Sequence, residues 1–383
     1  MIAEGVFFGA IAVIVWAYAG YFVVLGLVAW LRPKPVRKAA IEPTVSLIIC
    51  AYNEERHIRT KLERTLQLDY PPDKLEIVVA SDGSTDRTDD IVREFAPRVT
   101  LLRVEGRKGK TAAQNVAVAH ARGEILVFSD VTTIYPRNNL RAMVANFADP
   151  TVGCVSGDLI YERDQGGATA AEGRAVFWNY ERQLRLWESQ VHSMIGAAGC
   201  GYAMRRHLYV PLDPAVISDF VEPGQATERG FRTVLEPGAP AIEPPEAYAL
   251  GDELRRRARV ITRGLRGAFM MPRLLNPVRH PWLAIVLWSH RVLRWLVPVF
   301  LVLLLLASIP LAPRHPVYAV ALAGQLVVYG AGAAAWALER LRVRVPGAFV
   351  PLYFCLVNLA PLLAIAWLLR GEKKVVWDTA TGR

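Results

Sequence analysis

The sequence predicts an α/β domain with a Rossmann-like, mainly parallel sheet, set between helices that cross a membrane. Two observations support this prediction. Between residues 44 and 130, short runs of aliphatic and β-branched residues alternate with longer segments of helical character, which is typical of a parallel sheet. Apolar stretches long enough to span a bilayer lie before and after this region.

The N-terminal apolar stretch covers residues 6–31 and contains no charged residue. It is longer than the about 20 residues that a helix needs to cross a bilayer. A signal peptide is the alternative, but such a peptide has a shorter apolar run of about 7–15 residues, preceded by basic residues and followed by a small-residue cleavage site. We therefore predict an uncleaved transmembrane helix over residues 1–32, followed by a basic linker over 33–43.

Three further apolar runs lie near the C-terminus, at residues 295–311, 317–338 and 349–369. They predict an interfacial segment and three transmembrane helices within residues 273–370, followed by a tail over 371–383. Arg32, Lys34, Arg37 and Lys38 follow the first helix, so the positive-inside rule places the central domain in the cytoplasm, at the inner (plasma) membrane. Four spans with a cytoplasmic central domain would put both termini on the outer side of the membrane. The tail is basic, with Arg370, Lys373 and Lys374, and basic residues disfavour that side, so a re-entrant last segment is the alternative.

The net charge is +10, and a positively charged surface could bind either nucleic acid or anionic lipid headgroups. Because basic residues flank the predicted spans, lipid headgroups fit the pattern better, and we expect no nucleic-acid partner. The four cysteines are scattered and form no CxxC pair, so neither a zinc site nor a disulfide framework is indicated.

The central domain is expected to cover residues 44–272. Strands are predicted at 45–49, 75–80, 99–104 and 124–128, with helices at 54–68, 86–95 and 110–121. Ligands of such sheets bind beyond the carboxyl ends of the strands. Polar residues stand there in three clusters: Tyr52, Asn53 and Glu54; Asp82; and Asp130.

A single aspartate after a strand is often a cap or turn residue. Two aspartates and a third polar cluster together predict a ligand site. A nucleoside diphosphate needs a divalent cation, and Mg²⁺ and Mn²⁺ favour carboxylate oxygens such as those of Asp130.

The segment GRKGKT at residues 106–111 is similar to a phosphate loop but is not a Walker A motif, since Val104 stands where that motif requires glycine. This excludes a P-loop transporter subunit. Lys108 or Lys110, with the start of the next helix, could still meet a diphosphate. A solvated basic turn is the alternative.

Residues 252–270 predict a basic amphipathic helix. Its apolar face is formed by Leu254, Ala258, Ile261, Leu265 and Ala268, and its basic face by Arg255, Arg259, Arg263 and Arg266. The pattern favours a helix lying in the headgroup region. Two alternatives are contact of its arginines, chiefly Arg255 and Arg259, with a diphosphate, and a face that is only solvated.

A helix predicted at residues 172–190 carries Trp178, Tyr180, Glu181 and Trp187. Aromatic residues at this spacing are more often core than platforms for a sugar ring. Gly199 and Gly201 indicate a close approach of the backbone, either to an acceptor sugar or to packed side chains.

Four segments together resemble one family. VSLIICAYNEE, VVASDGSTDRT, GRKGKTAAQN and LVFSDVTT occur in the order and at the spacing of the catalytic domain of family-2 glycosyltransferases, which have the GT-A fold. The resemblance continues through GAAGCGYAMRR, ISDFVEP and WSHRVLRWLVP to the last helices. The membrane arrangement resembles the branch that makes hyaluronan, chitin-like oligomers and poly-N-acetylglucosamine.

The resemblance implies a role for each matching residue. Asp219 would be the general base that removes the proton of the acceptor hydroxyl in an inverting transfer. Asp130 would be the first acid of the DxD motif and would bind Mn²⁺ or Mg²⁺. Tyr52, Asn53 and Glu54 would line the nucleoside pocket, Asp82 would contact the base or ribose, and Lys110 would approach the diphosphate. The residues implied in donor binding are thus Tyr52, Asn53, Glu54, Asp82, Lys110 and Asp130. The candidates on the acceptor side are Trp178, Glu181, Gly199 and Gly201.

Two departures from the family pattern are evident. Thr132 stands where DxD has its second acid, and the stretch corresponding to the QxxRW motif of processive synthases reads RRRARVITRGLRG. Without the second acid, metal binding rests on Asp130, the diphosphate and a hydroxyl or another side chain. The missing QxxRW motif favours transfer of one or a few sugars from a nucleotide-sugar donor, expected to be a UDP-sugar, to a glycan or lipid-linked acceptor. A polyprenyl-phosphate sugar transferase and a catalytically inactive membrane scaffold remain alternatives. An export partner or an oligomer would extend the membrane part.

Overall fold

The computed structural model describes residues 1–162, 169–244, 250–341, 343, 345 and 347–375. A seven-stranded sheet lies at the centre of the domain. Its strands are β1 Val45–Ala51, β2 Leu75–Ser81, β3 Thr100–Arg103, β4 Ile125–Asp130, β5 Val152–Tyr161, β6 Gly201–Arg205 and β7 Arg232–Glu243. All four predicted strands are present within a few residues of their expected bounds.

The helices follow in chain order. They are α1 Ile2–Val15, α2 Tyr21–Leu31, α3 Ile58–Thr65, α4 Thr88–Arg93, α5 Lys110–His120, α6 Asn139–Ala145, α7 Thr169–Val191, α8 Ser218–Glu228, α9 Leu250–Phe269, α10 Pro272–Leu275, α11 Pro281–Val286, α12 Leu293–Leu311, α13 Pro316–Arg340 and α14 Phe349–Leu369. Two π-helical turns join neighbouring helices, Trp16–Gly20 between α1 and α2 and Leu287–Val292 between α11 and α12.

The strand order β3-β2-β1-β4-β6-β5-β7 confirms the predicted α/β class. Strands β1 to β4 pair in parallel, whereas β6 runs antiparallel to both β4 and β5. From β1 the chain moves outward through β2 and β3 and then returns to the other side of β1 as β4. The switch point, where parallel sheets bind ligands, therefore lies between the ends of β1 and β4.

The antiparallel strand β6 brings a second part of the chain to this edge. Its first residue, Gly201, pairs with Ser129 near the end of β4. The loop before β6 therefore reaches the same edge of the sheet as Asp130.

Both faces of the sheet are buried. In β1, Leu47 and Ile49 face one hydrophobic cluster, and Ile48 and Cys50 face the other, as expected for a strand with helices on both sides. The four cysteines are free.

Four helical segments among the described residues are long and apolar enough to cross a membrane: Ile2–Leu31, Pro281–Leu311, Pro316–Arg340 and Val350–Leu369. This confirms the prediction of one N-terminal and three C-terminal candidate spans. The first C-terminal segment begins earlier than the expected residue 295, because α11 and the following π-helical turn continue directly into α12.

The last candidate span, which is part of α14, packs against a helix of the central domain. Helix α14 lies along the basic helix α9, where Arg257 donates to the Tyr353 hydroxyl over 2.6 Å. Beyond α14, the Arg266 side chain donates to the Glu372 carbonyl over 3.2 Å. The tail through Val375 thus contacts the central domain, and the re-entrant alternative for the last segment stays a prediction. Residues 376–383 of the predicted tail lie outside the described residues.

Candidate active site

Lys110 joins three parts of the site. It is the first residue of α5, following Gly109, which adopts a φ of 97°. Its Nζ forms an ion pair with the Asp130 carboxylate and donates to the Gly199 carbonyl over 3.0 Å. Burial opposes its charge, but the neighbouring carboxylates of Asp130 and Asp219 dominate and raise the pKa of Lys110. The lysine therefore stays protonated and holds β4 and the loop before β6 together.

Asp82 supports the basic loop at residues 106–109. Its carboxylate is fully buried and accepts hydrogen bonds from the backbone N–H groups of Lys108 (2.9 Å) and Gly109 (2.8 Å). A side chain at Gly83 would approach the Gly106 carbonyl to 2.9 Å, so glycine permits this close contact. Contact of Asp82 with a base or ribose remains a prediction, because both of its oxygens are engaged with the loop.

The cluster after β1 lies beside the cluster after β2. Asn53 has a φ of 51°, and its side-chain oxygen accepts from the Thr85 N–H over 2.8 Å. The Glu54 carboxylate lies 3.1 Å from Nδ1 of His57. Tyr52 lies under the guanidinium of Arg107 at 4.2 Å. The basic loop and an aromatic ring thus form one rim of the site.

Asp219 lies in the first turn of α8, and its carboxylate packs directly against Gly199. A Cβ at position 199 would lie 2.1 Å from Oδ2 of Asp219. Within the described part of the chain, this carboxylate accepts no hydrogen bond. Burial raises its pKa, as does Asp130, while Lys110 acts in the opposite direction. A carboxylate with a raised pKa and open acceptor positions has the properties of a general base.

Arg263 is a residue of the site that the sequence did not single out as such. It is buried, and its Nη2 donates to the Val216 carbonyl (2.5 Å) and to the Thr111 hydroxyl (2.9 Å). The expectation that it shares an outward basic face with Arg255 was wrong, since α8 and α5 cover this side of α9. Arg255 is exposed and pairs with Asp252 at 2.7 Å.

The other diphosphate candidate, Arg259, is half-buried on α9. The charge of Arg263 acts on Asp219, whereas Arg255 is exposed and pairs with Asp252. Four residues along a helix is close to one full turn, so sequence spacing alone could not separate Arg259 from Arg263.

Lys61 lies beneath the end of β4 and was also missed. Its Nζ donates to the Ser129 hydroxyl (2.6 Å) and the Thr133 carbonyl (2.7 Å). Burial lowers its pKa to about 8. Thr132, at the position of the absent second acid, donates to the Glu243 carboxylate over 3.1 Å. These contacts hold the segment that carries Asp130.

The acceptor-side candidates separate into two groups. Gly199 lies at Asp219, whereas a Cβ at Gly201 would meet the Tyr135 hydroxyl at 2.7 Å, which is a packing contact. Trp178 donates from its indole to the Leu159 carbonyl over 2.7 Å. Glu181 is buried and pairs with His290 and Arg294 of the candidate span Pro281–Leu311, so its side chain is already engaged.

Asp130 is the residue of the site that could hold a divalent cation. Within the described ranges no three His, Cys, Asp or Glu side chains cluster as metal ligands. Asp130 offers one carboxylate, and its side chain is 37% exposed. Mg²⁺ is commonly bound by one or two carboxylates together with substrate phosphates and water. The residues therefore fit a cation that takes most of its ligands from a bound diphosphate.

Comparison with known proteins agrees with this geometry. Residues 46–210 match the family model described as "Glycosyl transferase family 2". The solved structure of a mannosyltransferase from Pyrobaculum calidifontis, in complex with GDP-Man and Mn²⁺, superimposes with a TM-score of 0.70 at 26% identity, covering 97% of this chain and 99% of that one. Residues 46–210 are thus similar to glycosyltransferase family 2, and the domain has the GT-A fold.

Two curated relatives match over shorter stretches. The beta-monoglucosyldiacylglycerol synthase of Synechocystis sp. is 35% identical over 118 residues, which are 30% of this chain and 25% of the relative. The dolichyl-phosphate beta-glucosyltransferase ALG5D of Trichomonas vaginalis is 40% identical over 95 residues, 22% of this chain and 29% of the relative. The chain therefore spans only about a quarter of the length of these relatives.

Proposed function

We propose that the protein transfers a sugar from a nucleotide-sugar donor to an acceptor at the membrane surface, with inversion at the anomeric carbon. The observation that carries this proposal is the position of Asp219. Its carboxylate, with a raised pKa and no internal hydrogen bond among the described residues, lies beside the Lys110–Asp130 pair at the switch point of the sheet.

In the proposed reaction, Asp219 accepts the proton of the acceptor hydroxyl while that oxygen attacks the anomeric carbon. The bond from this carbon to the donor phosphate breaks, and the nucleoside diphosphate leaves with the bonding electrons. One displacement inverts the configuration. Lys110 and the N-terminus of α5 would bind the negative diphosphate, as helix N-termini commonly do.

Asp130 would hold a divalent cation, Mn²⁺ or Mg²⁺, whose charge would offset the charge that develops on the leaving diphosphate. The Mn²⁺ in the Pyrobaculum complex supports this assignment. Lys110 and Asp130 pair directly with each other here. We expect donor binding to turn Lys110 from Asp130 towards a phosphate oxygen.

The donor base and sugar require a direct test. The family resemblance favours a UDP-sugar, whereas the Pyrobaculum structure contains GDP-Man. Both bases, and both hexose and hexosamine donors, therefore belong in the panel. One curated relative is named for synthesis of a glucosyldiacylglycerol and the other for glucosyl transfer involving dolichyl phosphate, which supports a lipid acceptor over a free glycan.

The site is proposed to face the cytoplasm at the plasma membrane. The basic linker after α2 supports this orientation through Arg32, Lys34, Arg37 and Lys38. The alternative of an inactive scaffold is less favoured, since Asp82, Asp130 and Asp219 are all present and two of them surround Lys110.

The test is release of nucleoside diphosphate by the purified full chain, with UDP-, GDP- and dTDP-sugars and a membrane lipid extract as acceptor. We expect one donor to be turned over with Mn²⁺ or Mg²⁺ and not with EDTA. Asp219→Asn should lower kcat by about 10²–10⁴-fold while donor binding, measured calorimetrically, is retained. Donor binding with no turnover across the panel would support the scaffold, and an unimpaired Asp219→Asn variant would refute the proposed base.

A further inference from the structure

Two arginines lie together between Asp219 and the membrane helices. Arg185 is on α7 and is only 8% exposed. Arg291 lies in the π-helical turn within the candidate span Pro281–Leu311, and its side chain is 19% exposed. Their charges are near enough to interact with each other, and that of Arg185 also acts on Asp219.

Neither guanidinium is fully paired inside the protein. Among the described residues, Arg185 has no hydrogen-bond or ion-pair partner and only lies over the Trp178 ring at 4.8 Å. The buried Nε atoms of Arg185 and Arg291 both lack an acceptor. Arg291 reaches Glu181 only at 3.9 Å.

The nearby carboxylates are already used by other cations. Glu181 pairs with Arg294, and its carboxylate lies 3.1 Å from Nε2 of His290. Burial alone would raise the pKa of Glu181, but Arg294 and His290 hold this pKa well below its ordinary value. Glu188 accepts from the Tyr21 hydroxyl at 2.8 Å and lies 2.7 Å from Nδ1 of His290.

The cluster thus carries more positive than negative charge. Two carboxylates, Glu181 and Glu188, face three arginines, which are Arg185, Arg291 and Arg294. A buried cation without a partner is costly, and an anionic ligand would remove that cost.

The position of the cluster identifies which ligand could supply the anion. A Cβ at Gly196 would lie 3.7 Å from Nη2 of Arg291 and 3.7 Å from the backbone carbonyl of Asp219, so the arginine head and the backbone of the proposed base lie on either side of Gly196. The donor diphosphate has its own cations in Lys110 and the basic loop. The arginines come instead from α7 and from a candidate membrane span, so a second anion would arrive from the bilayer.

We propose that Arg185 and Arg291 bind the phosphoryl group of a membrane-lipid acceptor and hold its accepting oxygen near Asp219. This inference rests on the proposed transfer reaction. Guanidinium groups suit the role because their planar N–H donors can bind two phosphate oxygens at once.

The first test measures binding without catalysis. The full chain in neutral detergent would be titrated with decyl phosphate, decanol or inorganic phosphate, and the shift in Tm recorded, since a ligand that binds only the folded state raises it. We expect decyl phosphate to raise the Tm, decanol to have no effect, and inorganic phosphate to act only at much higher concentration. Equal effects of inorganic and decyl phosphate would indicate a free-phosphate site and overturn the lipid assignment.

Variants then assign the site. Arg185→Met and Arg291→Met should weaken binding of decyl phosphate at least 10-fold, while Arg185→Lys should weaken it less. Arg273→Met is the matched control, because its exposed side chain lies near the same interface and makes only a 3.9 Å ion pair with Glu228. If the Met variants bind decyl phosphate as the wild type does, the inference fails.

The Tm without ligand distinguishes a purely structural role of Arg185 from a role in ligand binding. Because Arg185 is an unpaired buried cation, Arg185→Met should leave the Tm without ligand unchanged or higher, and a lower Tm with unchanged affinity would show that its role is structural. In the transfer assay, the KM for a lipid phosphate acceptor should rise at least 10-fold, whereas the affinity for the donor, measured calorimetrically, should be retained. If no donor is turned over but the arginines bind decyl phosphate, the proposed function fails and the site remains.

Discussion

Gly199 lies against the carboxylate that is proposed as the base. A Cβ at this position would be 2.1 Å from Oδ2 of Asp219, which is shorter than any allowed contact. Gly199→Ala should therefore displace Asp219 and lower kcat at least 10²-fold, with donor affinity affected less, since the basic loop is separate. Gly324→Ala on α13 is the control, because nothing lies within 4 Å of its added Cβ. Equal activity of the two variants in the transfer assay would contradict the proposed position of the base.

Glu222 follows Asp219 by one turn of α8 and is completely buried. It accepts from the Tyr202 hydroxyl at 2.7 Å, and burial raises its pKa from 4.5 to about 8. The folded state therefore favours the protonated form. Its contribution to stability is fully present below about pH 4.5, declines as the pH rises, and is lost by about pH 8.

Glu222→Gln resembles the protonated acid at every pH. The free energy of unfolding of the wild type should fall relative to this variant by up to about 1.4 kcal/mol per pH unit across that window. Thermal unfolding of both proteins from pH 5 to pH 8 measures the difference. Parallel pH curves would show that Glu222 is ionised in the folded protein.

The N-terminal helix is joined to the domain through a close contact between α2 and α7. A Cβ at Gly26 would lie 2.9 Å from the ring of Trp187, whereas nothing lies within 4 Å of a Cβ at Gly9. Gly26→Leu should destabilise the protein by about 1–3 kcal/mol through overpacking, and Gly9→Leu should change stability little. Thermal unfolding in the same detergent compares them. Equal Tm values would mean that α2 does not pack on α7.

The basic helix α9 was predicted correctly as an element, but the surroundings of its polar face were predicted only in part. The spacing of apolar residues predicted a helix at 252–270, and α9 covers Leu250–Phe269. Its side chains have two different neighbours, since Thr262 donates to the Ala364 carbonyl of α14 over 3.4 Å while Arg263 reaches the loop before α8. Periodicity reports one polar face and one apolar face, and it cannot show that a polar residue is covered by another element.

At the scale of the whole molecule, the tail and the catalytic domain are predicted to lie on one side of the membrane. The Glu372 carbonyl accepts from Arg266, and Val375 contacts Gly109 of the basic loop. Cysteines introduced by Glu105→Cys, whose side chain is 85% exposed, and by Lys373→Cys should react together with a membrane-impermeant maleimide in sealed vesicles of one orientation.

Arg314→Cys, between α12 and α13, should react only from the opposite side. Three of the four native cysteines are buried, so background labelling should be small. Labelling of Lys373→Cys together with Arg314→Cys would show instead that α14 crosses the membrane fully.

The sequence by itself determined the fold class, the first four strands, the four apolar helices and the strand-end residues Asp82 and Asp130. These features depend on local periodicity and on motifs whose residues are close together in the chain. The tertiary structure decided which charges meet. Lys61 below Ser129, Arg263 beside Thr111, and Arg185 near Arg291 join residues far apart in sequence. Their burial and pairing result from how elements pack against one another, and local sequence patterns do not encode that packing.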